Sequence, residues 1–163
     1  MFEKVILIDT NIWHFAYKMP KEEKYIQIHK LANKFLKDIF SQHTTQIGMS
    51  SYQIAEIMDV LRKAGIERDI RKKVLKDFDN TKFKIVEIQS GQVKIYLDKS
   101  IVSNIHIYDY LVAFPLKGLV SKIYSADDHF QHKDFKAIAE VINPLSPWIL
   151  REGKRPTIQN EDS

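Results

Sequence analysis

The opening residues constrain the fold most, because they form an apolar run that ends abruptly at a carboxylate. Residues 2–8 have no polar interruption after Lys4, and Asp9 follows directly. An uninterrupted apolar strand is typical of a parallel sheet that is covered on both faces, whereas a half-exposed strand would alternate polar and apolar residues. The run therefore predicts an interior strand of an α/β protein.

Beyond this run, short β-branched segments alternate with longer segments whose apolar residues have helical spacing. The pattern predicts strands over residues 2–8, 44–49, 82–88, 120–124 and 137–142. It predicts helices over residues 10–17, 22–40, 51–64, 66–78, 92–101 and 105–114, with Ser50 or Ser51 as the cap of the third helix and Gly65 as its stop. Such alternation predicts a parallel sheet that is covered by helices on both faces.

Length and composition indicate one ordinary domain. The 163 residues fall within the common single-domain range of roughly 100 to 200. After Leu150 the sequence turns polar without a period, so we predict a domain over residues 1–150 and a flexible tail over residues 151–163. No apolar run approaches the roughly 18 residues of a spanning helix, and no basic segment leads into an apolar one at the N-terminus, so we expect a cytoplasmic protein with no membrane partner.

Four carboxylates stand at positions that this predicted fold makes informative. Asp9 and Asp127 each follow a buried strand, while Glu56 and Asp109 interrupt the apolar stripes of two predicted helices. Open α/β sheets bind ligands at the carboxyl ends of their strands, so the two strand-end acids are expected in a cleft. A local role stays open for each: Asp9 or Thr10 as a helix cap, Asp127 as a turn residue, and the helical acids in salt bridges.

The residue types favour a hard metal ion if these acids meet. Mg²⁺ takes oxygen ligands and commonly bridges carboxylates to substrate phosphate oxygens. The chain contains no cysteine, which excludes disulfides, thiolate zinc sites and cysteine nucleophiles. A carboxylate cluster that holds divalent ions can activate water and neutralise the charge that develops in an in-line displacement at phosphorus.

Four short motifs, taken in order along the chain, closely resemble those of the PIN domain family. They are Ile6-Leu7-Ile8-Asp9-Thr10-Asn11, Ser51-Tyr52-Gln53-Ile54-Ala55-Glu56-Ile57, His106-Ile107-Tyr108-Asp109-Tyr110-Leu111-Val112-Ala113 and Ser125-Ala126-Asp127-Asp128-His129-Phe130. The resemblance spans residues 5–144. It implies a three-layer α/β/α sandwich and a metal-dependent endoribonuclease that cuts single-stranded RNA and leaves 3′-hydroxyl and 5′-phosphate ends. Free-standing bacterial and archaeal members are often VapC-like toxins held inactive by an antitoxin, and homodimers are common among them.

The same resemblance assigns residues of this chain to roles. The implied catalytic residues and ligands of Mg²⁺ or Mn²⁺ are Asp9, Glu56, Asp109 and Asp127. The implied supporting residues are Asn11 and Ser125, which orient the acids, and Thr10, which serves the turn and the helix start. Asp128 is an additional acid where the family varies, so either Asp127 alone or both residues approach the metal.

Cations and histidines offer further candidates. Seven basic residues fall within fifteen positions, and as a hypothesis they steer RNA or dock an acidic partner: Arg62, Lys63, Arg68, Arg71, Lys72, Lys73 and Lys76. The alternative is an ordinary solvated helix face. His129 and His132 lie near Asp127, where solvent exposure and metal ligation are both open, and His14 and His106 fall near the inferred cleft, where phosphate contact and partial packing are both open.

Three other functions use some of the same features. One is a non-catalytic PIN-like module that binds RNA or protein. A Mg²⁺-dependent phosphatase of the haloacid-dehalogenase type would need a second Asp where this chain has Asn11. A receiver-like domain would need paired acids after the first strand and a Lys before the late proline, whereas Asn143 precedes Pro144 here.

Overall fold

A five-stranded parallel sheet forms the centre of the computed structural model, which describes residues 1–159. Its strands are β1 (Lys4–Ile8), β2 (Thr45–Ser50), β3 (Phe83–Val86), β4 (Lys122–Tyr124) and β5 (Glu140–Ile142). Their order across the sheet is β3-β2-β1-β4-β5, and every neighbouring pair is parallel. All five predicted strands are confirmed, with ends that differ by up to three residues.

The central position of β1 follows from its apolar sequence. Ile6, Leu7 and Ile8 are fully buried, and β1 pairs with β2 on one side and with β4 on the other. The chain therefore builds β2 and β3 on one side of β1 and then returns to build β4 and β5 on the other. Ligands in open α/β sheets bind where the winding reverses in this way, at the carboxyl ends of the strands. Here that place lies between β1 and β4.

Helices cover both faces of the sheet. They are α1 (Thr10–Tyr17), α2 (Ile26–Ser41), α3 (Ser51–Lys63), α4 (Arg68–Asp77), α5 (Ser90–Ser103), α6 (Ile107–Ala113) and the short α7 (Lys133–Lys136). Successive residues of a strand point to opposite faces, so Ile6 and Ile8 pack in one apolar cluster with Trp13 of α1, while Leu7 packs in a second with Tyr110 of α6. The predicted three-layer α/β/α sandwich is therefore confirmed.

Helix α3, which carries one of the four candidate acids, has well-defined ends. The Ser50 hydroxyl accepts a hydrogen bond from the backbone N–H of Gln53 at 3.2 Å, which caps the helix. Gly65 follows the helix with φ +77°, a left-handed conformation that glycine adopts without steric cost. The predicted start and stop of this helix are therefore both observed.

The C-terminal segment continues past the last strand of the main sheet. Strands β6 (Trp148–Ile149) and β7 (Thr157–Ile158) form an antiparallel pair. The backbone of Leu150 donates to the carbonyl of Ala126 at 2.9 Å and accepts from the N–H of Asp128 at 3.1 Å. Part of the predicted flexible tail over residues 151–163 is therefore paired, and its positions 160–163 lie outside the described residues. Within residues 1–159, the helices lack the combination of length and apolar content that crossing a bilayer requires.

Candidate active site

Asp9 lies directly after β1, at the middle of the carboxyl edge of the sheet. Its backbone is extended and precedes α1, but within the described chain its side chain makes no capping hydrogen bond to that helix. Instead, Asp9 Oδ2 accepts a hydrogen bond from the Ser125 hydroxyl at 2.8 Å. Only 4% of the residue is exposed. The structure thus places Asp9 in the crevice beside the end of β4 and not in the role of a helix cap.

Ser125 connects the acids at the ends of β1 and β4. Besides donating to Asp9, its hydroxyl accepts a hydrogen bond from the backbone N–H of Asp127 at 3.0 Å. Asp127 Oδ1 in turn accepts from the backbone N–H of His129 at 2.9 Å, so this acid also caps the short 3-10 helix that follows it. Asp127 therefore has the local turn role as well as a position next to Asp9.

Glu56 reaches the same place from α3. The Thr10 hydroxyl donates to Glu56 Oε1, and the Tyr52 hydroxyl donates to Glu56 Oε2 at 2.8 Å. Gln53 Nε2 also donates to the carbonyl of Ile8 at 2.7 Å, which ties α3 to the end of β1. Thr10 therefore both begins α1 and orients an acid, a second role that the sequence did not indicate.

Asp109 completes the group from the first turn of α6. It is 8% exposed. Its Oδ2 atom lies 2.9 Å from His129 Nδ1 and 3.3 Å from His106 Nε2. Two histidines thus partner this acid, one from the N-terminal end of α6 and one from the turn after β4.

Burial and mutual repulsion act together on the acids. Burial is the largest cause that raises the pKa of Asp9 well above its usual range, and Asp127, Asp109 and Glu56 raise it further while the Ser125 hydrogen bond lowers it. Burial, followed by the charge of Asp109, raises the pKa of Asp127 to about 6. Burial also raises the pKa of Glu56, against the hydrogen bonds from Thr10 and Tyr52. Four segments distant in sequence therefore form one electrostatically coupled cluster.

The pKa of His129 is raised, whereas burial alone would lower the pKa of a histidine. Its hydrogen bond to Asp109 is the main cause that raises the pKa of His129 to about 9, and the charge of Asp127 adds to it. The imidazole is therefore protonated at neutral pH, and its Nδ1–H donates to Asp109. A cation beside the acids compensates part of their negative charge.

The donor set fits a divalent metal ion. Asp109 and Asp127 offer carboxylate oxygens that lie within 4.8 Å of each other and of a nitrogen of His129. Mg²⁺ and Mn²⁺ favour carboxylate oxygens, and a divalent cation relieves the cost of keeping several acids ionised in a buried cluster. All four acids predicted from the sequence line one cleft, and Asp109 and Asp127 are the two that fall in this close group.

Aromatic and basic residues line the cleft around the acids, which has a volume of about 790 Å³. The ring of Tyr108 stacks on that of Tyr52, with centroids 5.6 Å apart and 14° between the ring planes. Tyr108 is 51% exposed, so the stacked pair presents an aromatic surface to solvent. Lys63 and His14 also line the cleft, and burial lowers the pKa of His14, with a smaller contribution from Lys18.

The remaining predicted residues are more scattered. Asn11 lines the cleft. Asp128 forms an ion pair with Arg151 at 3.3 Å. Of the predicted RNA-binding cations, Arg62 and Lys63 both pair with Asp59 at the end of α3. The others lie on α4. Arg71 is half-buried and its Nε donates to the carbonyl of Ile66 at 3.0 Å, and the remaining four are exposed: Arg68, Lys72, Lys73 and Lys76.

The structure adds residues to the cleft that sequence reasoning did not place there. Tyr52, Tyr108 and Glu152 are the clearest cases. Tyr52 lies one helical turn before Glu56, so helical spacing offered a signal for it, whereas Tyr108 directly precedes Asp109 and adjacent helical residues do not share a face. Glu152 had none, because it falls in the aperiodic segment for which the sequence predicts a flexible tail.

Comparison with known proteins supports the fold. No family model matches the sequence, and no curated protein matches it. Among solved structures, a chain in the crystal structure of VapBC2 from Rickettsia felis bound to a promoter DNA fragment is similar, with a TM-score of 0.52 and 16% sequence identity. The match covers 85% of this chain and 98% of that chain. The protein therefore shares its α/β/α architecture with a component of a VapBC complex across nearly the whole length of that component.

Proposed function

We propose that this protein is a divalent-metal-dependent endoribonuclease that hydrolyses phosphodiester bonds of single-stranded RNA. The observation that carries the proposal is the convergence of four carboxylates from separate segments at the reversal point of the sheet. Asp9 and Asp127 follow β1 and β4, while Glu56 and Asp109 come from α3 and α6. Burial and like charge raise the pKa of Asp9, Glu56 and Asp127, as expected of crowded acids, while Asp109 contacts two histidines.

The four acids would hold Mg²⁺ or Mn²⁺ and act as the catalytic residues. When bound, such an ion supplies an activated water and neutralises charge on the phosphoryl oxygens. Ser125 keeps Asp9 turned into the cleft, and Thr10 and Tyr52 fix the carboxylate of Glu56. Asn11 lines the cleft as a further polar contact for the acids or the phosphate. We assign Asp128 to the ion pair with Arg151 and not to the metal.

The surroundings of the acids suit a single-stranded polynucleotide. Unpaired bases stack on aromatic rings, and the exposed Tyr108 lines the same cleft as the four acids. Lys63 provides a cation at the same cleft, where phosphate contacts give affinity without sequence choice. The choice of RNA over DNA rests on the resemblance of the four motifs to the PIN family.

We propose further that an antitoxin controls this activity in the cytoplasm. The support is the similarity to a chain of the VapBC2 complex, together with the family resemblance. We also propose that the protein forms a homodimer and that residues 1–150 form its nuclease domain. Co-expression with the product of a neighbouring reading frame should yield a stable complex that does not cleave RNA.

A labelled, unstructured RNA tests the nuclease proposal directly. We expect cleavage with Mg²⁺ or Mn²⁺, no cleavage with EDTA, and loss of activity in Asp9→Asn. Asp98→Asn, an exposed acid on α5, is the matched control and should cleave normally. Cleavage that persists in EDTA or in Asp9→Asn would overturn the mechanism. Metal-dependent RNA binding by the wild-type protein without cleavage would favour the non-catalytic binding module instead.

A further inference from the structure

Three side chains outside the four-acid set converge at the rim of the cleft. Glu152 Oε2 lies 4.0 Å from His106 Nε2 and 3.9 Å from His129 Nε2. One ligand atom from each residue lies within 4.8 Å of the other two. These residues come from the start of α6, the turn after β4 and the C-terminal segment, so the tertiary fold brings them together.

Their separations come close to those of a metal site. Bonds of about 2.0 to 2.2 Å around a tetrahedral Zn²⁺ place neighbouring ligand atoms about 3.3 to 3.6 Å apart. The two distances from Glu152, 4.0 and 3.9 Å, are slightly longer than that range. The Glu152 side chain is 65% exposed and can move by that amount without disturbing the core. Its backbone is held nearby, because Leu150 pairs with both Ala126 and Asp128.

Asp109 contacts both imidazoles, and its Oδ2 atom lies 3.3 Å from His106 Nε2, a contact that the ion would replace. It orients the other imidazole for this role. Its Oδ2 atom lies 2.9 Å from His129 Nδ1, while His129 Nε2 is the atom next to Glu152. Histidine ligands of metals typically make such a hydrogen bond from the second ring nitrogen to a carboxylate, which fixes the tautomer and the ring orientation. The ring of His106 lies beside that of His129, with centroids 5.3 Å apart.

We propose that His106, His129 and Glu152 bind one borderline-soft divalent ion of the Zn²⁺ class, next to the acids but with its own ligands. Two imidazole nitrogens and one carboxylate suit Zn²⁺, Co²⁺ or Ni²⁺, whereas Mg²⁺ prefers oxygen ligands throughout. The competing explanation is that Glu152 only pairs electrostatically with the two histidines. The proposal goes beyond the nuclease function and does not depend on it, since it concerns binding of an ion and not cleavage of RNA.

Calorimetric titration of the full-length protein with Zn²⁺, in excess Mg²⁺, tests the site. We expect about one equivalent to bind, with an affinity that Asp9→Asn leaves unchanged and that His106→Ala or Glu152→Gln each weakens at least tenfold. Exposed residues away from the carboxyl edge provide matched controls, His43→Ala before β2 and Glu140→Gln in β5, and both should bind like the wild-type protein. Because Glu152 is exposed, its substitution should not alter the circular dichroism spectrum.

Two further readouts separate this site from the acid cluster. Co²⁺ should give visible absorption typical of nitrogen ligation, and Zn²⁺ should shift the Nε2 signals of two histidines in ¹⁵N spectra. Equal Zn²⁺ affinity in Glu152→Gln and the wild-type protein would overturn the proposal, as would loss of the Zn²⁺ equivalent in Asp9→Asn or in His43→Ala. Failure of RNA cleavage would leave the result unaffected, since no titration contains RNA.

Discussion

A single buried hydroxyl joins the two strand ends that form the candidate active site. Ser125 donates to Asp9 and accepts from the backbone of Asp127, and it is 1% exposed. Without the Ser125 hydroxyl, Asp9 would lose a hydrogen-bond donor while its like-charged neighbours remained. The hydrogen bond from Ser125 lowers the pKa of Asp9, whereas those neighbours raise it. The position of a carboxylate on one strand is therefore fixed by a residue more than a hundred positions away.

Replacing Ser125 by alanine should weaken catalysis more than folding. Residues that orient metal ligands typically contribute 10- to 100-fold in metal affinity or activity, so we expect about that loss in Mg²⁺ affinity and in kcat for RNA cleavage with Ser125→Ala. Ser125→Thr keeps the hydroxyl and serves as the matched control. Metal titration of both variants by activity measures the effect. Wild-type Mg²⁺ dependence in Ser125→Ala would mean that Asp9 needs no such partner.

At the residue scale, the sequence predicted the acids but not their partners. Asp9 and Glu56 were found because a strand end and an interrupted apolar stripe are local patterns, visible in a few residues. Thr10 and Glu56 are 46 positions apart in the sequence, and so are His106 and Glu152. Local sequence patterns therefore cannot predict these contacts. Which hydroxyl or imidazole meets which acid is decided by tertiary packing.

At the scale of elements, α3 and α6 act together. They contact each other across the carboxyl edge of the sheet, and each contributes one acid and one tyrosine to the cleft. The Tyr52 hydroxyl binds Glu56, which holds the ring in place beneath Tyr108. The acids and the aromatic surface are thus positioned by the same helix pair.

This arrangement predicts a role for Tyr108 in RNA binding. Stacking of a base on an aromatic side chain contributes about 1 to 3 kcal/mol, so Tyr108→Ala should weaken binding of single-stranded RNA by roughly 5- to 150-fold. Tyr108→Phe preserves the ring and should bind nearly as the wild-type protein does. Fluorescence anisotropy in the Asp9→Asn background measures binding without cleavage. An equal loss in both variants would point to the hydroxyl and not to stacking.

Helix α4 bears a separate prediction about charge. Its cations, of which Lys72 and Lys73 are exposed and Arg71 is half-buried, lie one helix away from the cleft, since α4 packs against α3. Reversal of Arg71, Lys72 and Lys73 to Glu should weaken RNA binding and flatten its salt dependence, because phosphate contacts release counterions. Lys133→Glu, which changes an exposed cation on α7, is the control. If the salt dependence of RNA affinity is unchanged in the triple variant, the α4 face is an ordinary solvated surface.

Elements were predictable where one short segment determines them. Apolar residues recur with clear periodicity in the strands of the main sheet and in the helices that cover it. These elements were therefore predicted, and only their ends differ. The β6 and β7 pair was missed because each strand has two residues, too few for any pattern. The pair contacts distant segments, and Trp148 Nε1 of β6 donates to Gln27 Oε1 at 3.0 Å.

At the scale of the whole molecule, four acidic residues are gathered in one cleft of a protein whose net charge is positive. The net charge is +4, and neutralising the four clustered acids would raise it to +8. A mildly basic protein with a buried acidic site therefore becomes more attractive to a polyanion when the site is filled with divalent ions. Metal binding and RNA binding are expected to reinforce each other for this reason.

The buried acids also make metal-free stability depend on pH. Burial, followed by repulsion from Asp109, raises the pKa of Asp127 to about 6 from 3.8, so the folded state keeps a proton that the unfolded state releases. The free energy of unfolding should therefore fall as pH rises from about 4 to 6, by up to about 3 kcal/mol from this group. His129, with its pKa raised to about 9, adds a further loss as pH rises from about 6.5 through 9.

Urea unfolding in EDTA, compared between the wild-type protein and Asp127→Asn, isolates the contribution of the acid. The stability of the variant relative to the wild-type protein should increase between pH 4 and 6, because the neutral amide has no proton to lose. Asp98→Asn should give no such trend. Saturating Mg²⁺ should reduce the wild-type loss, since the ion favours the ionised acids. A difference between wild type and Asp127→Asn that stays constant over this range would mean that Asp127 ionises freely, and hence that the four carboxylates do not form a crowded cluster in solution.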